Sequence, residues 1–237
     1  MIIGLYLDDF SLLNKITNKL KSKEFNLKHV KKVPENNDEI SVIISKEKLK
    51  NCVIPQVQPD NLDILELRLR CTLYDCHEVV AGIDPGGTNG LAIVGNNRVL
   101  YKNEFEDIGR LSIIIKSIND EIGLQTIKIG SGSPPERNQI INSLNDYSGL
   151  IKLVSEERSG SRSHAAAATR IALRKELSEN PMIYKPKNGE IAWVQQESRR
   201  LSKGLVTIDK HLAHQILVGE ITMDEAIHTY TNRMKTH

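Results

Sequence analysis

The chain of 237 residues has few cysteines and no long apolar segment. Its three cysteines, Cys52, Cys71 and Cys76, form no CxxC pair and have no histidines at zinc-site spacing. The sequence therefore predicts neither a disulfide framework nor a zinc site. No apolar run approaches the roughly 18 residues of a membrane span, and the N-terminus lacks the basic region and cleavage site of a signal peptide. We therefore expect a cytoplasmic protein without a membrane partner.

Charge is nearly balanced over the whole chain, at +2, but it is unevenly distributed. Residues 81–157 contain seven Lys or Arg against ten Asp or Glu, whereas residues 158–203 contain ten against four. A basic segment directly after an acidic one is typical of a phosphate or nucleic-acid site beside a metal centre. A solvated basic helix face is the alternative interpretation.

The first part of the chain predicts a small α/β domain over residues 1–76. "MIIGLYL" and "EISVIIS" are strand-like, and "DDFSLLNKITNKLKSKEF" between them has apolar residues at helical spacing. "LDILELRLRCTL", residues 62–73, alternates apolar and polar residues, which predicts a half-buried strand. Turn-forming residues place the domain boundary near residues 74–78.

The second part predicts the order β-β-β-α-β-α-β-α over residues 77–180. The strands are "EVVAGIDP", "GLAIVG", "RVLYKNEF", "TIKIGSG" and "GLIKLVSEE", and Ser163 is the expected N-cap of the last helix. This order predicts an antiparallel meander that continues into a mixed sheet with helices on its faces. Residues 181–237 predict a helical extension, in which a capping box from Thr222 to Glu225 begins the final helix.

Four segments in this order resemble a known fold. "GIDPG", "IKIGSGSP", "SEERSGS" and "HAAAATRIAL" resemble segments of the ribonuclease-H-like fold, and within it the RuvC-type Holliday-junction resolvases and their YqgF relatives. The resemblance covers about residues 78–178. It implies binding of structured DNA or RNA, divalent-metal-dependent endonuclease cleavage, a role in DNA repair and recombination, and a homodimer, because a four-way junction has two equivalent scissile sites.

The resemblance also implies a catalytic site in which carboxylates hold two Mg²⁺ or Mn²⁺ ions. It assigns Asp84 and Glu157 as metal ligands and catalytic residues, and His164 as a third catalytic residue. Glu156 remains an alternative to Glu157, because adjacent strand residues face opposite sides of a sheet. Ala167 stands where resolvases have an aspartate. A binding module without cleavage is therefore the alternative function, in which Asp84 is a turn residue.

Cations after the acidic segment are the candidate nucleic-acid contacts, since guanidinium groups match phosphate geometry. They are Arg158, Arg162, Arg170, Arg174, Arg199, Arg200 and Lys203. Trp193 is either a base-stacking residue or a packing anchor. "GGTNG" also resembles the phosphate-binding loop of sugar kinases and actin-like ATPases. That ATP-binding alternative is disfavoured, because only about 150 residues follow Asp84 and such enzymes need a second half of the fold.

Overall fold

The structure is a computed structural model that describes residues 1–21, 24–33, 39–156, 163–175 and 186–235. Within these ranges it contains two β-sheets, helices on both of them, and a helical C-terminal unit. None of the helices in these ranges has the length and apolarity needed to cross a membrane.

The N-terminal unit is built on a four-stranded parallel sheet. Its elements are β1 (Ile2–Tyr6), α1 (Phe10–Leu20), β2 (Asn26–His29), β3 (Ile40–Ser45) and β4 (Gln56–Val57). The strand order is β2-β1-β3-β4, so the chain places β2 and β3 on opposite sides of β1. Asp9 is the N-cap of α1, and its side chain accepts a hydrogen bond from Leu12 N at 3.0 Å.

A helix follows where the alternating sequence predicted a strand, so that prediction was wrong. A 3₁₀ turn (Leu62–Ile64) leads directly into α2 (Leu65–Leu73). Leu65 and Leu69, four residues apart, pack in the core of the N-terminal sheet, whereas Leu67 and Cys71 pack in the core of the second sheet. Two helical faces buried on opposite sides produce the period of two. The predicted boundary at residue 76 thus comes after a helix that belongs to both cores.

The second unit is built on a five-stranded mixed sheet. Its elements are β5 (Val79–Asp84), β6 (Asn89–Gly95), β7 (Arg98–Phe105), α3 (Ile108–Ile122), β8 (Thr126–Gly130), α4 (Pro134–Ser143), β9 (Ile151–Val154) and α5 (His164–Leu173), with a 3₁₀ segment (Asn145–Leu150) before β9. The order across the sheet is β7-β6-β5-β8-β9. β5 pairs antiparallel with β6 and parallel with β8. The central strand β5 therefore ends among loops that follow β8 and β9.

Helices cover both faces of this sheet. Apolar residues of α3 and α4, including Leu111, Ile115 and Ile140, pack with residues of β5, β6 and β8 in the core of the five-stranded sheet. α5 packs along β5 and β6. Every residue of β6 is buried, as expected for a strand that is covered on both faces.

The helical extension forms a bundle of α6 (Asn188–Leu201), α7 (Lys210–Leu217) and α8 (Met223–Lys235). Its core contains Val194, Leu212 and Ile216, which are at most 1% exposed. At the start of α8, Glu225 N donates to Thr222 Oγ1, and Thr222 N donates to Glu225 Oε2 at 2.8 Å. The predicted capping box is confirmed.

Candidate functional site

Asp84 ends the central strand β5 and is only 8% exposed. The turn after it is fixed by Asn89, which is 1% exposed. Asn89 Oδ1 accepts from Gly86 N at 3.3 Å, and Asn89 Nδ2 donates to Phe105 O at 3.3 Å. Burial raises the pKa of Asp84, while His164 and the charge of Arg170 oppose that rise. Asp84 is thus a partly desolvated carboxylate at a rigid turn.

Close packing of α5 brings His164 to Asp84. A Cβ built on Gly82 would lie 2.3 Å from Ala168 O, and one built on Gly90 would lie 2.1 Å from His164 O. These two glycines therefore permit the backbone of α5 to contact the sheet directly. His164 Nδ1 lies 2.9 Å from Asp84 Oδ2. Because an ionised carboxylate only accepts hydrogen bonds, His164 Nδ1 is the donor to an ionised Asp84.

Glu104, near the end of β7, caps α5, and the sequence interpretation missed it. Ser163 occupies the N-cap position, as predicted, but its side chain makes no cap hydrogen bond to the helix. Instead, Ser163 Oγ donates to Glu104 Oε1 at 2.8 Å, and Ala165 N donates to the same atom at 3.0 Å. These bonds lower the pKa of Glu104. The first turn of α5, which contains His164, is therefore held by a carboxylate from strand β7.

Glu156 lies just after β9, with its carboxylate against two glycines. Gly132 N donates to Glu156 Oε1 at 3.0 Å. A Cβ on Gly130 would lie 1.9 Å from Oε1, and one on Gly132 would lie 2.3 Å from Oε2. The glycines of "IKIGSGSP" thus leave room for this carboxylate. Burial first, and the charge of Asp84 in addition, raise the pKa of Glu156, while the bond from Gly132 opposes the rise.

The described residues therefore place His164 against Asp84, and they place Glu156 near enough for the charge of Asp84 to raise its pKa. Glu104 is close enough for its charge to raise the pKa of Asp84. Glu157, Arg158 and Arg162 lie outside the described residues, so the structure places only the alternative acid of the Glu156–Glu157 pair. Within the described ranges no group of three or more His, Cys, Asp or Glu side chains is arranged to hold a metal ion.

The side chains near Asp84 show how well the structure fits the metal site that the resemblance implies. Two metal ions need several carboxylates, which the described residues do not supply, and Ala167, where the resemblance implies an aspartate, is a buried alanine. One Mg²⁺ fits better, because this ion is commonly held by one or two carboxylates, with waters and substrate phosphates completing its coordination. Asp84 and Glu156 are the residues that would hold it.

The predicted phosphate-contact residues that the structure describes fall into two groups. Arg170 lies on α5, where its charge opposes the rise in the pKa of Asp84, and Arg174 is the C-cap residue of that helix. Arg174 Nη1 donates to Ser155 O at 2.6 Å. Arg174 therefore already supports the backbone next to Glu156.

The other group lies on α6 and the turn after it. Arg199 and Lys203 are exposed there, while Arg200 Nε donates to Glu197 Oε2 at 2.9 Å. Trp193, on the same helix, is 42% exposed. No contact described in the structure joins Arg199, Arg200 or Lys203 to Asp84 or Glu156.

Comparison with known proteins matches parts of the chain. A family model described as a three helical bundle domain matches residues 187–232, the segment of α6 to α8, which is less than half of the chain. No curated protein sequence matches. Among solved structures, the chain is similar to a RuvC structure from Thermus thermophilus, with 17% sequence identity and a TM-score of 0.33, over 40% of this chain and 90% of that one. A similarity at this level gives no argument about function.

Proposed function

We propose that this chain binds structured DNA or RNA through a ribonuclease-H-like domain, with Asp84 and Glu156 positioned to hold one Mg²⁺ or Mn²⁺ at a phosphodiester. One observation carries the proposal. Two carboxylates stand at the carboxyl ends of β5 and β9, the strands on either side of β8, and both are partly desolvated, with the charge of Asp84 adding to the raised pKa of Glu156. Neighbouring carboxylates of this kind favour a bound cation, and perturbed acids cluster at functional sites.

The topology supports the domain assignment. An antiparallel meander of three strands is joined to two parallel strands, and α5 lies on β5 and β6. The segments that resemble resolvase motifs fall at the ends of β5, β8 and β9 and on α5. These ends converge on Asp84. The motif order in the sequence and the geometry of the site therefore favour the same fold.

Each residue of the site has a distinct role in this proposal. A bound divalent ion would supply charge stabilisation at a phosphate oxygen. Asp84 orients His164 by accepting from Nδ1, and His164 Nε2 accepts or returns a proton at the scissile group. Glu104 fixes the helix turn that carries His164. Because Ala167 provides no carboxylate, we propose that any endonuclease activity is slow.

The second candidate is a binding module without cleavage. The bond between His164 and Asp84 favours it, because that bond already uses Asp84 Oδ2. The ATP-binding alternative gains no support from the described residues. The homodimer implied by the resemblance remains a prediction, and light scattering at working concentration tests it.

Manganese binding is the decisive experiment, because it needs no knowledge of the substrate. Water-proton relaxation should detect one Mn²⁺ per wild-type chain, and Asp84→Asn and Glu156→Gln should each abolish it. Glu220→Gln, a change of an exposed acid after α7, is the matched control. Equal binding by all four proteins would reject the proposed site. Cleavage of junction, duplex and single-stranded substrates with Mn²⁺ then separates the two candidate functions.

Salt dependence tests the nucleic-acid partner. For duplex-like substrates the affinity should fall with a log–log slope of about −0.9 for each phosphate neutralised. An Arg199→Ala/Lys203→Ala double change should flatten the slope by roughly two units, because both side chains are exposed and available to phosphates. Arg174 is unsuitable for this test, since its guanidinium supports the backbone at Ser155. An affinity independent of salt would exclude nucleic acid as the partner.

A further inference from the structure

Arg137, on α4, is a buried cation that the proposed chemistry does not use. Its side chain is only 9% exposed. Arg137 Nη1 donates to Ser131 O at 2.8 Å, and Nη2 donates to Glu190 Oε1 at 3.0 Å. Ser131 lies in the loop after β8, and Glu190 lies in the first turn of α6. One guanidinium therefore joins the five-stranded domain to the helical bundle.

The loop that Arg137 holds is the loop that holds Glu156. Ser131 O accepts from Arg137, and the amide of the next residue, Gly132, donates to Glu156 Oε1 at 3.0 Å. The opposite end of the connection is also fixed, because Glu190 Oε2 accepts from Lys187 N at 2.9 Å in the capping box of α6. The contacts form a continuous chain from the start of the bundle to a candidate metal ligand.

We propose that Arg137 is a positioning residue that couples docking of the helical bundle to the placement of the Glu156 carboxylate. Glu190 fixes the guanidinium, the guanidinium fixes Ser131, and the Ser131–Gly132 peptide fixes Glu156. The metal-binding consequence rests on the proposed function, whereas the coupling itself does not. Docking of the helical bundle thus helps to hold the Glu156 carboxylate in place.

The physical basis is the cost of disturbing a buried charge. Neutralising one partner of a buried ion pair is costly for the other charge, so Glu190→Gln weakens the restraint on the guanidinium. Arginine suits this position because its planar fork donates in two directions at once, which a lysine ammonium on a flexible stem does not reproduce. Residues behind metal ligands typically change metal affinity by about 10- to 100-fold when mutated.

Asn142, one residue before the last residue of α4, offers a matched control. Its side-chain amide donates to Val218 O, at the end of α7, so it also ties the bundle to the five-stranded domain. The described contacts do not connect it to Ser131 or Gly132. Asn142→Ala therefore weakens docking of the bundle without disturbing the chain of contacts through Arg137.

The experiment compares Glu190→Gln, Arg137→Met, their double variant and Asn142→Ala in the full chain. Amide exchange over residues 130–134 reports directly on the Gly132 bond, and Mn²⁺ titration reports on Glu156. Glu190→Gln should speed exchange in that segment and weaken Mn²⁺ binding by roughly tenfold. The double variant should be no worse than Arg137→Met, because both changes break one chain of contacts. Asn142→Ala should lower the melting temperature and leave both readouts unchanged.

Two results would overturn the coupling: unchanged exchange over residues 130–134 in Glu190→Gln, or changes in Asn142→Ala as large as those in Glu190→Gln. The second result would mean that docking in general, and not Arg137, stabilises the loop. If Arg137→Met does not fold, Glu190→Gln still decides the question, because it leaves the arginine in place. Absence of Mn²⁺ binding by the wild type would reject the proposed function, and the exchange readout would still test the coupling.

Discussion

Each of the two sheets has acidic residues at the end of a central strand. The acid of the five-stranded sheet is buried against a helix, whereas the acids of the N-terminal sheet are exposed. Asp8 and Asp9 follow β1, are exposed, and lie beside a cavity of about 440 Å³ at the ends of β1 and β3. Asp9 caps the helix that follows it. Asp84 ends β5, is 8% exposed, and contacts the first residue of α5. The acid at the end of β5 is therefore partly desolvated by a second element, whereas the acids after β1 remain exposed.

The surroundings of one glycine in each sheet show how closely a neighbouring element packs on the strand. Gly4 in β1 and Gly82 in β5 occupy the central strands of the two sheets. A Cβ on Gly4 would first meet side-chain atoms of Ile40, at 3.1 Å, whereas one on Gly82 would lie 2.3 Å from the backbone oxygen of Ala168. A side chain can shift by a few tenths of an ångström, but a packed helix backbone cannot. The same residue type therefore has different importance in the two sheets.

The largest expected effect is the difference between Gly82→Ala and Gly4→Ala. Gly82→Ala should lower the free energy of unfolding by about 3 kcal/mol, because the new methyl group collides with the backbone of α5. Gly4→Ala should cost about 1 kcal/mol or less, because Ile40 can adjust. Urea unfolding of both variants measures the difference. Equal losses would mean that α5 is not held by backbone contact.

The shared helix α2 gives the next largest effect. Leu67→Ala should cost about 2–3 kcal/mol through a cavity in the core of the five-stranded sheet, and Leu69→Ala should cost a similar amount in the N-terminal core. Hydrogen exchange should then increase around β6 and α3 in Leu67→Ala, and around β1 and β3 in Leu69→Ala. Identical exchange patterns in the two variants would show that the two cores unfold as one unit.

The alternation in α2 shows why sequence interpretation failed there. A period of two indicates a strand when one face is buried, but Leu65, Leu67, Leu69 and Cys71 are buried in two different cores. Local pattern carries no information about how many neighbours an element has. By contrast, the strands and helices downstream follow the predicted order, because each is covered in the way its pattern indicates and its turns have their own chemistry.

The site was predictable in part. Asp84 and His164 belong to recognisable segments, and the structure brings them into contact. Glu104 was missed, because no local pattern shows that an exposed strand residue caps a helix about 60 residues further along the chain. The role of Gly130 and Gly132 was likewise hidden, since only three-dimensional packing reveals the carboxylate between them. Long-range contacts of this kind leave no periodic signal.

A smaller effect is expected from the two helix caps, one in each unit. Glu104→Ala removes the acceptor for Ser163 Oγ and Ala165 N, and Asp9→Ala removes the acceptor for Leu12 N. Both variants should have lower melting temperatures than the wild type, with smaller decreases than the leucine variants show. Only Glu104→Ala should speed exchange in the first turn of α5, where His164 lies.

The pH dependence of the Glu104 effect has a definite sign. Its pKa is lowered in the folded state, so its contribution is present above the unfolded pKa and is lost as pH falls through the folded pKa. The difference in melting temperature between wild type and Glu104→Ala should therefore shrink in acid. A difference that stays constant from neutral pH into acid would exclude Glu104 as the ionised cap of α5.

The smallest expected effect has the opposite sign and concerns Glu156. Its pKa is raised in the folded state, so the folded protein favours the protonated carboxyl, and the stability of the wild type falls as pH rises through that pKa. Glu156→Gln removes the partly desolvated charge and keeps an oxygen to accept from Gly132 N. Near neutral pH it should therefore raise the free energy of unfolding by about 0.5 kcal/mol, and the gain should vanish as pH falls toward the ordinary carboxyl pKa. Glu220→Gln, which changes an exposed acid, should show no such gain.

A loss of stability in Glu156→Gln at neutral pH would mean that the Glu156 charge is satisfied by its neighbours and needs no cation. A gain, together with lost Mn²⁺ binding, would mean that this carboxylate is kept charged at a cost to the fold, which is expected of a ligand and not of a structural acid.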